Sequence, residues 1–251
     1  MEMPLAEFNL EQKRHLFEKG WVIIPQVVPA EMVQAARITI NSTIENYLDS
    51  IQTRAHELKS DERLTNLLTA TDAFSLIESA LGKGKVVPST NVQCALRFPE
   101  HDRKSLNNLR PHIDSFHPSV DGNPGSIKPF IAIAGFFLND IEQDNAGNFT
   151  VWPETHRQFA KYFEKHGADP ELKLGIPPVD LPQPIQIKAK AGDMIFAHYQ
   201  LAHTAAANIS NAIRYTVYIR MHHADRPKDS LDVLTDIWKY WYGMSEVTSK
   251  D

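Results

Sequence analysis

The chain is 251 residues long, with 26 Lys and Arg against 31 Asp and Glu, one Cys and 11 His. The net charge of −5 excludes a general polyanion binder, so no nucleic acid partner is expected. A single Cys excludes an internal disulfide framework and any Cys-built zinc or iron–sulfur centre, so a metal here is held by His, Asp or Glu.

The first 85 residues read mostly as helix. Residues 10–19 (LEQKRHLFEK) form a first helix stopped by Gly20, and WVIIPQVV (21–28) is a short β-rich run. Pro29 is expected at the first helical position of a long helix over 29–52, where its missing N–H costs least. Two further helices, 61–70 and 71–81, end at Gly82-Lys83-Gly84. After Gly84 the pattern changes. Strands are expected at 86–98, 111–116, 130–138, 148–152, 184–189, 193–197 and 213–221, separated by Pro, Gly, Asn and Asp clusters. One helical insert, 155–167, interrupts them, and a last helix is expected over 230–241.

Helices followed by many short strands make an α+β chain built on a barrel or double-sheet sandwich. No linker or repeat divides it. One domain is expected over 1–251: a mainly helical part (1–85), a β core (86–222) and a C-terminal helix (223–251). MEMPLAEFNLEQ does not read as a secretory signal, and no run approaches the roughly 18 apolar residues of a membrane span, so no membrane contact and a cytoplasmic location are expected.

Two constellations carry candidate chemistry. In Arg110-Pro111-His112-Ile113-Asp114, residues two apart on a strand share a face, which brings an imidazole and a carboxylate to one ion. Alone the pair is weak, since a surface His beside an Asp has the same pattern. About 90 residues on, GDMIFAHYQLAHTAAANISNAIR (192–214) offers His198 or His203 as a second imidazole, with Arg214 and Thr216 sharing a face of the following strand. A guanidinium inside a strand needs an anion; the plain alternative is a rim Arg paired with a structural carboxylate. Together, two His and one carboxylate leave about three positions open on a non-haem Fe(II) ion. An Arg one strand away then clamps a remote carboxylate, as 2-oxoglutarate requires.

On these residues the chain resembles the phytanoyl-CoA dioxygenase family of Fe(II)/2-oxoglutarate-dependent oxygenases. The resemblance extends to HLFEKGWVIIPQVVPAEMVQAAR (15–37) and to FFLNDIEQDNAGNFTVWPETH (136–156), where Pro153-Glu154-Thr155-His156 carries Glu154 at a place usually taken by Gly. It implies a double-stranded β-helix of jelly-roll or cupin-like type, with helices packed on one sheet. It implies His112, Asp114 and His203 as the iron ligands and catalytic set, and Arg214 as partner of the co-substrate's far carboxylate, with Thr216 adding a hydroxyl. It selects His203 over His198, which takes a supporting or packing place. The implied cofactors are Fe(II), 2-oxoglutarate and O2. The implied reaction hydroxylates a substrate and releases succinate and CO2; an intact Asp114 favours hydroxylation over halogenation.

Asn91, Gln93 and Arg97 alternate on the strand before the first ligand and are candidate substrate contacts, with a solvated strand face as the alternative. Phe116 and His117 follow Asp114 as a possible cover, and Trp152 is a candidate pocket wall; loop and core packing are their alternatives. His156 is read as a helix cap, His222-His223 with Arg220 as a solvated sheet end, and Cys94 as a buried structural thiol. His15, His56, His101 and His166 receive no role. The C-terminal TSKD is no peroxisomal address, so a small soluble metabolite is expected as substrate rather than a lipid acyl-CoA. Two readings compete: a zinc hydrolase on the same His-Asp-His site, and a non-catalytic small-molecule binder on a cupin-like fold, which needs no intact triad.

Overall fold

The computed structural model describes residues 5–45, 58–100, 109–117, 119, 125–169, 172 and 175–249. Helix α1 (Leu10–Lys19) starts with a reciprocal cap. Asn9 Oδ1 accepts the Gln12 N–H at 2.9 Å, and Gln12 Oε1 accepts the Asn9 N–H at 2.9 Å. It ends at Gly20, whose φ of 87° is left-handed; a Cβ there would lie 2.7 Å from His156 Nδ1. Strand β1 (Trp21–Ile24) follows at once and buries Val22 and Ile24.

Helix α2 spans Ala30–Glu45. Pro29 sits just before it, and its carbonyl accepts the Val33 N–H at 3.1 Å, so it caps the helix rather than opening it. The rest of the expected helix, 46–52, lies outside the described residues. Helices α3 (Glu62–Thr69) and α4 (Ala73–Leu81) bury Leu64, Leu67, Leu68, Leu76 and Ile77.

Then come β2 (Val86–Arg97), β3 (Phe116–His117), β4 (Ser126–Ile127), β5 (Ala132–Phe137) and β6 (Phe149–Val151). After helix α5 (Thr155–His166) follow β7 (Ile185–Gln186), β8 (Met194–His198), β9 (His203–Ala205) and β10 (Arg214–His223). The larger sheet is antiparallel in the order β1-β8-β5-β10-β2, and the smaller one runs β7-β6-β9. All six residues of β5 are buried, as a central strand covered on both faces requires. These two main antiparallel sheets, with helices on the larger one and a separate two-stranded pair of β3 and β4, make this an α+β double-stranded β-helix. No described helix is long and apolar enough to cross a membrane.

Before α5, Glu154 holds φ 69° at the place where glycine is usual, strained for a residue with a Cβ. Local partners offset this. Its N–H reaches Lys19 O at 3.2 Å and its carboxylate meets Lys19 Nζ at 2.5 Å, tying α5 to the end of α1.

Two expected elements are absent. Residues 111–116 are not one strand: His112 makes a single bridge, a turn follows at Asp114 and Ser115, and β3 starts at Phe116. Ser115 has φ 84°, which breaks an extended run. Nor is 230–241 a helix. A 3-10 turn at Asp232–Leu234 leads through irregular chain to another at Tyr242–Met244 and a short helix α6 (Ser245–Thr248). Its aromatics point to different partners instead of one helical face: Trp238 and Trp241 meet His198, and Tyr240 meets His223.

Three histidines serve this packing. His198 is fully enclosed: Nε2–H donates to Ile237 O at 3.0 Å, Nδ1 accepts the Gln200 N–H at 3.1 Å, and the ring stacks on Trp241. His156 is no simple cap, because its ring is buried between α1 and Trp238, with Nε2 on Phe17 O at 3.1 Å. His223 is buried and reaches Leu81 O at 3.1 Å, so the strand end is not a solvated cluster.

Burial lowers the pKa of His198 to about 4, and that of His156 well below its usual value. Between pH 4 and 6.5 the unfolded chain binds more protons at these sites than the folded one. Stability is therefore lost as pH falls through that window, about 2 kcal/mol at pH 5 from His198 alone. Urea midpoints at pH 7 and pH 5 measure the fall, and it is shallower in His198→Gln. A second prediction concerns β5. A Cβ on Gly135 would lie 2.5 Å from Tyr218 Cε1 and 2.9 Å from Ile195 Cγ2, so Gly135→Ala should cost about 1–3 kcal/mol in the same assay.

Candidate metal centre

His112 and His203 form a narrow antiparallel backbone pair, each N–H donating to the other's carbonyl at 3.0 Å. Residues paired this way project side by side, and their ring centroids are 4.4 Å apart. His203 Nδ1–H donates to Leu201 O at 2.8 Å, which leaves the Nε2 lone pair facing the site. Asp114 Oδ1 lies 3.7 Å from His112 Nε2 and 3.9 Å from His203 Nε2. The three potential ligand atoms lie within 4.8 Å of one another.

Protonation favours a cation here. His112, though nearly half exposed, is lowered to about 4 by desolvation and then by His203, so its nitrogen is neutral near pH 7. Desolvation pushes the Asp114 carboxyl up, but His203, Arg220 and His112 outweigh it and hold it below the usual carboxylate value. The set thus offers two imidazoles and one carboxylate. The expected pairing of His112 with Asp114 is met by the turn at Asp114 and not by strand alternation.

A cavity of 270 Å³ opens against these residues, lined also by Gln93, Arg97, Phe149, Arg214 and Tyr218. Arg214, at the start of β10, is 2% exposed. Its Nε donates to Gly147 O at 2.8 Å and its Nη1 to Ala95 O at 2.9 Å, and no carboxylate among the described residues pairs with it. Gly147, with φ 75°, is needed for this approach; a Cβ there would lie 2.8 Å from Arg97 Cβ and 3.1 Å from Arg214 Cβ. A desolvated cation held by two neutral carbonyls and the Tyr218 hydroxyl, with no carboxylate among the described residues, is a place for an anion. Two residues on, the Thr216 hydroxyl is buried behind the cavity lining, beside Tyr218.

The other sequence candidates divide. Gln93 and Arg97 line the cavity, whereas Asn91 lies in a neighbouring cavity of 460 Å³ that shares Gln93 and Cys94 with it. Cys94 is half-buried, and its thiol is pushed up to about 12 by burial, which makes it unreactive. Phe116 stacks on Phe163 at 5.5 Å and Trp152 is buried in the core; neither lines the cavity. His117 is exposed on β3.

Two residues escaped the sequence reading. Tyr218 neighbours both Arg214 and Thr216, and Arg220 is bonded to Asp114. Both follow from carrying the alternation Arg214, Thr216 two steps further along β10.

A family model described as phytanoyl-CoA dioxygenase (PhyH) matches residues 17–216. No curated protein sequence matches the chain. Among solved structures, the epimerase SnoN, in complex with Fe3+, alpha ketoglutarate and nogalamycin RO, is 18% identical, covers 89% of this chain and 88% of its own, and has a TM-score of 0.64. The non-haem monooxygenase ThoJ is 14% identical over 87% of this chain and 79% of its own, with a TM-score of 0.61. HygX from Streptomyces hygroscopicus, with iron bound, is 15% identical over 88% of this chain and 89% of its own, with a TM-score of 0.52. At these identities the likeness shows a shared fold. The family match spans most of the chain, and the chain belongs to the phytanoyl-CoA dioxygenase family.

Proposed function

We propose that the chain is a cytoplasmic Fe(II)- and 2-oxoglutarate-dependent dioxygenase, a single catalytic domain that hydroxylates a small soluble metabolite. One observation carries this reading: the His112, Asp114 and His203 cluster shares a cavity with a buried Arg214 that has no anionic partner among the described residues. A nitrogen, nitrogen, carboxylate set suits a first-row divalent metal such as Fe(II). Thr216, on the same face of β10, supports the Arg214 end of the site from behind the cavity lining. A hydrolytic zinc site leaves this cation without a purpose.

When bound, the metal and 2-oxoglutarate supply the oxidation, O2 giving one oxygen atom to the substrate and one to succinate as CO2 departs. The chain's own residues do the positioning. Ala95 and Gly147 fix the Arg214 guanidinium, which orients the far carboxylate of the co-substrate. Gln93 joins the metal cavity to the neighbouring one, where Asn91 and Ser89 offer polar contacts to a substrate too large for the 270 Å³ space. Hydroxylation is preferred because Asp114 is intact and occupies the position that a halide would need.

The test is anaerobic titration of 2-oxoglutarate onto the Fe(II)-loaded protein, followed by succinate release in air. The expected result is a saturable absorption change and succinate formation. Asp114→Ala and His203→Ala should lose Fe(II), whereas Arg214→Ala should keep Fe(II) and weaken 2-oxoglutarate binding on the order of 100-fold. Retention of metal with no 2-oxoglutarate binding by the unmodified protein would overturn the reading.

A further inference from the structure

The two oxygens of Asp114 face different partners. Oδ1 faces both His Nε2 atoms, at 3.7 and 3.9 Å. Oδ2 accepts from Arg220 twice, from Nε at 3.2 Å and from Nη2 at 2.9 Å. Arg220 Nη2 also donates to Gln93 Oε1 at 3.1 Å, and its guanidinium carbon lies 5.5 Å from the centre of the Phe130 ring. The carboxylate thus has one oxygen bound by the protein and one left for a metal.

Alternation along β10 carries Arg220 onto the same face as Arg214, Thr216 and Tyr218, and regular pairing with β5, Arg220 opposite Ile133, holds it there. The irregularity in the pairing with β2 lies on β2, whose residues 89–91 stand opposite Arg220 alone. Asp114 itself sits in a turn and gains no such definition from a strand.

We propose that Arg220 is a positioning residue of the metal centre: it holds Asp114 by one oxygen so that the other is presented as a single-oxygen ligand beside the two imidazoles. This rests on the metal-centre reading above. A free carboxylate rotates and offers both oxygens, which takes up a position that the co-substrate needs. Coulomb's law alone argues the other way, because removing a cation near a metal strengthens metal binding. The sign of the effect therefore separates the two accounts.

The experiment measures Co(II) binding to the metal-free protein by calorimetry and by the visible absorption of the bound ion. Arg220→Ala should weaken Co(II) binding about tenfold or more and change the band shape. Arg220→Lys keeps the charge but lacks the planar fork, and should recover only part of the affinity. Thermal melting of the metal-free variants checks folding. Unchanged or tighter Co(II) binding in Arg220→Ala would overturn the proposal, as would full recovery by Lys. If the unmodified protein binds no Co(II), the metal-centre reading falls and this proposal falls with it.

Discussion

The narrow backbone pair between His112 and His203 is the constraint on which the centre depends. Two hydrogen bonds of 3.0 Å fix two chain segments about 90 residues apart and set their imidazoles on one side. His203 is held from the other flank as well, because β9 pairs with β6 through Val151. The Ala202 carbonyl accepts the Trp152 N–H at 3.0 Å, and the Ala202 N–H donates to Thr155 Oγ1 at 2.9 Å. On the His112 side, the Ile113 N–H reaches Gly175 O at 3.1 Å. The candidate metal centre is thus an outgrowth of the smaller sheet. A loosening of that pairing separates the ligands before it touches the core.

The charges of the site obey two different rules. Asp114 is answered within the protein, by Arg220 on one oxygen and by the histidines near the other. Arg214 is not. Its neighbours are the carbonyls of Gly147 and Ala95 and the Tyr218 hydroxyl, which orient the guanidinium without neutralising it. Burying a cation that way is costly unless an anion answers it. The same desolvation that opposes the charge strengthens its attraction for a carboxylate.

Much of this was legible in the residue pattern. Apolar spacing and the stop at Gly20 marked α1, and alternation marked β10 and the shared face of Arg214 and Thr216. His203 was separated from His198 by resemblance alone, and geometry supplies the reason: both nitrogens of His198 are engaged by backbone groups, whereas Nε2 of His203 is free. Other features lay beyond local pattern. Asp114 reads as a strand residue by spacing, but Ser115 takes a left-handed φ that no periodicity announces. The run 230–241 has helical apolar spacing, yet its aromatics satisfy partners on several elements. Arg220 looked like part of a polar strand end because its partner, Asp114, is 106 residues away.

Strand β10 shows why site and core cannot be separated. Arg214, Thr216, Tyr218 and Arg220 lie on one face, while Tyr215, Val217, Ile219 and Met221 are buried on the other. Neighbours on both sides, β5 and β2, fix its register. A slip by one residue would carry Arg214 into the hydrophobic layer and the apolar residues into the cavity. Burial of that opposite face therefore selects the register, and the register places Arg214 at the closed end and Arg220 at Asp114. Gly135 completes the arrangement, since the space of its missing side chain holds the Tyr218 ring. The chemistry of the centre is set by packing on the side of the strand that never meets a ligand.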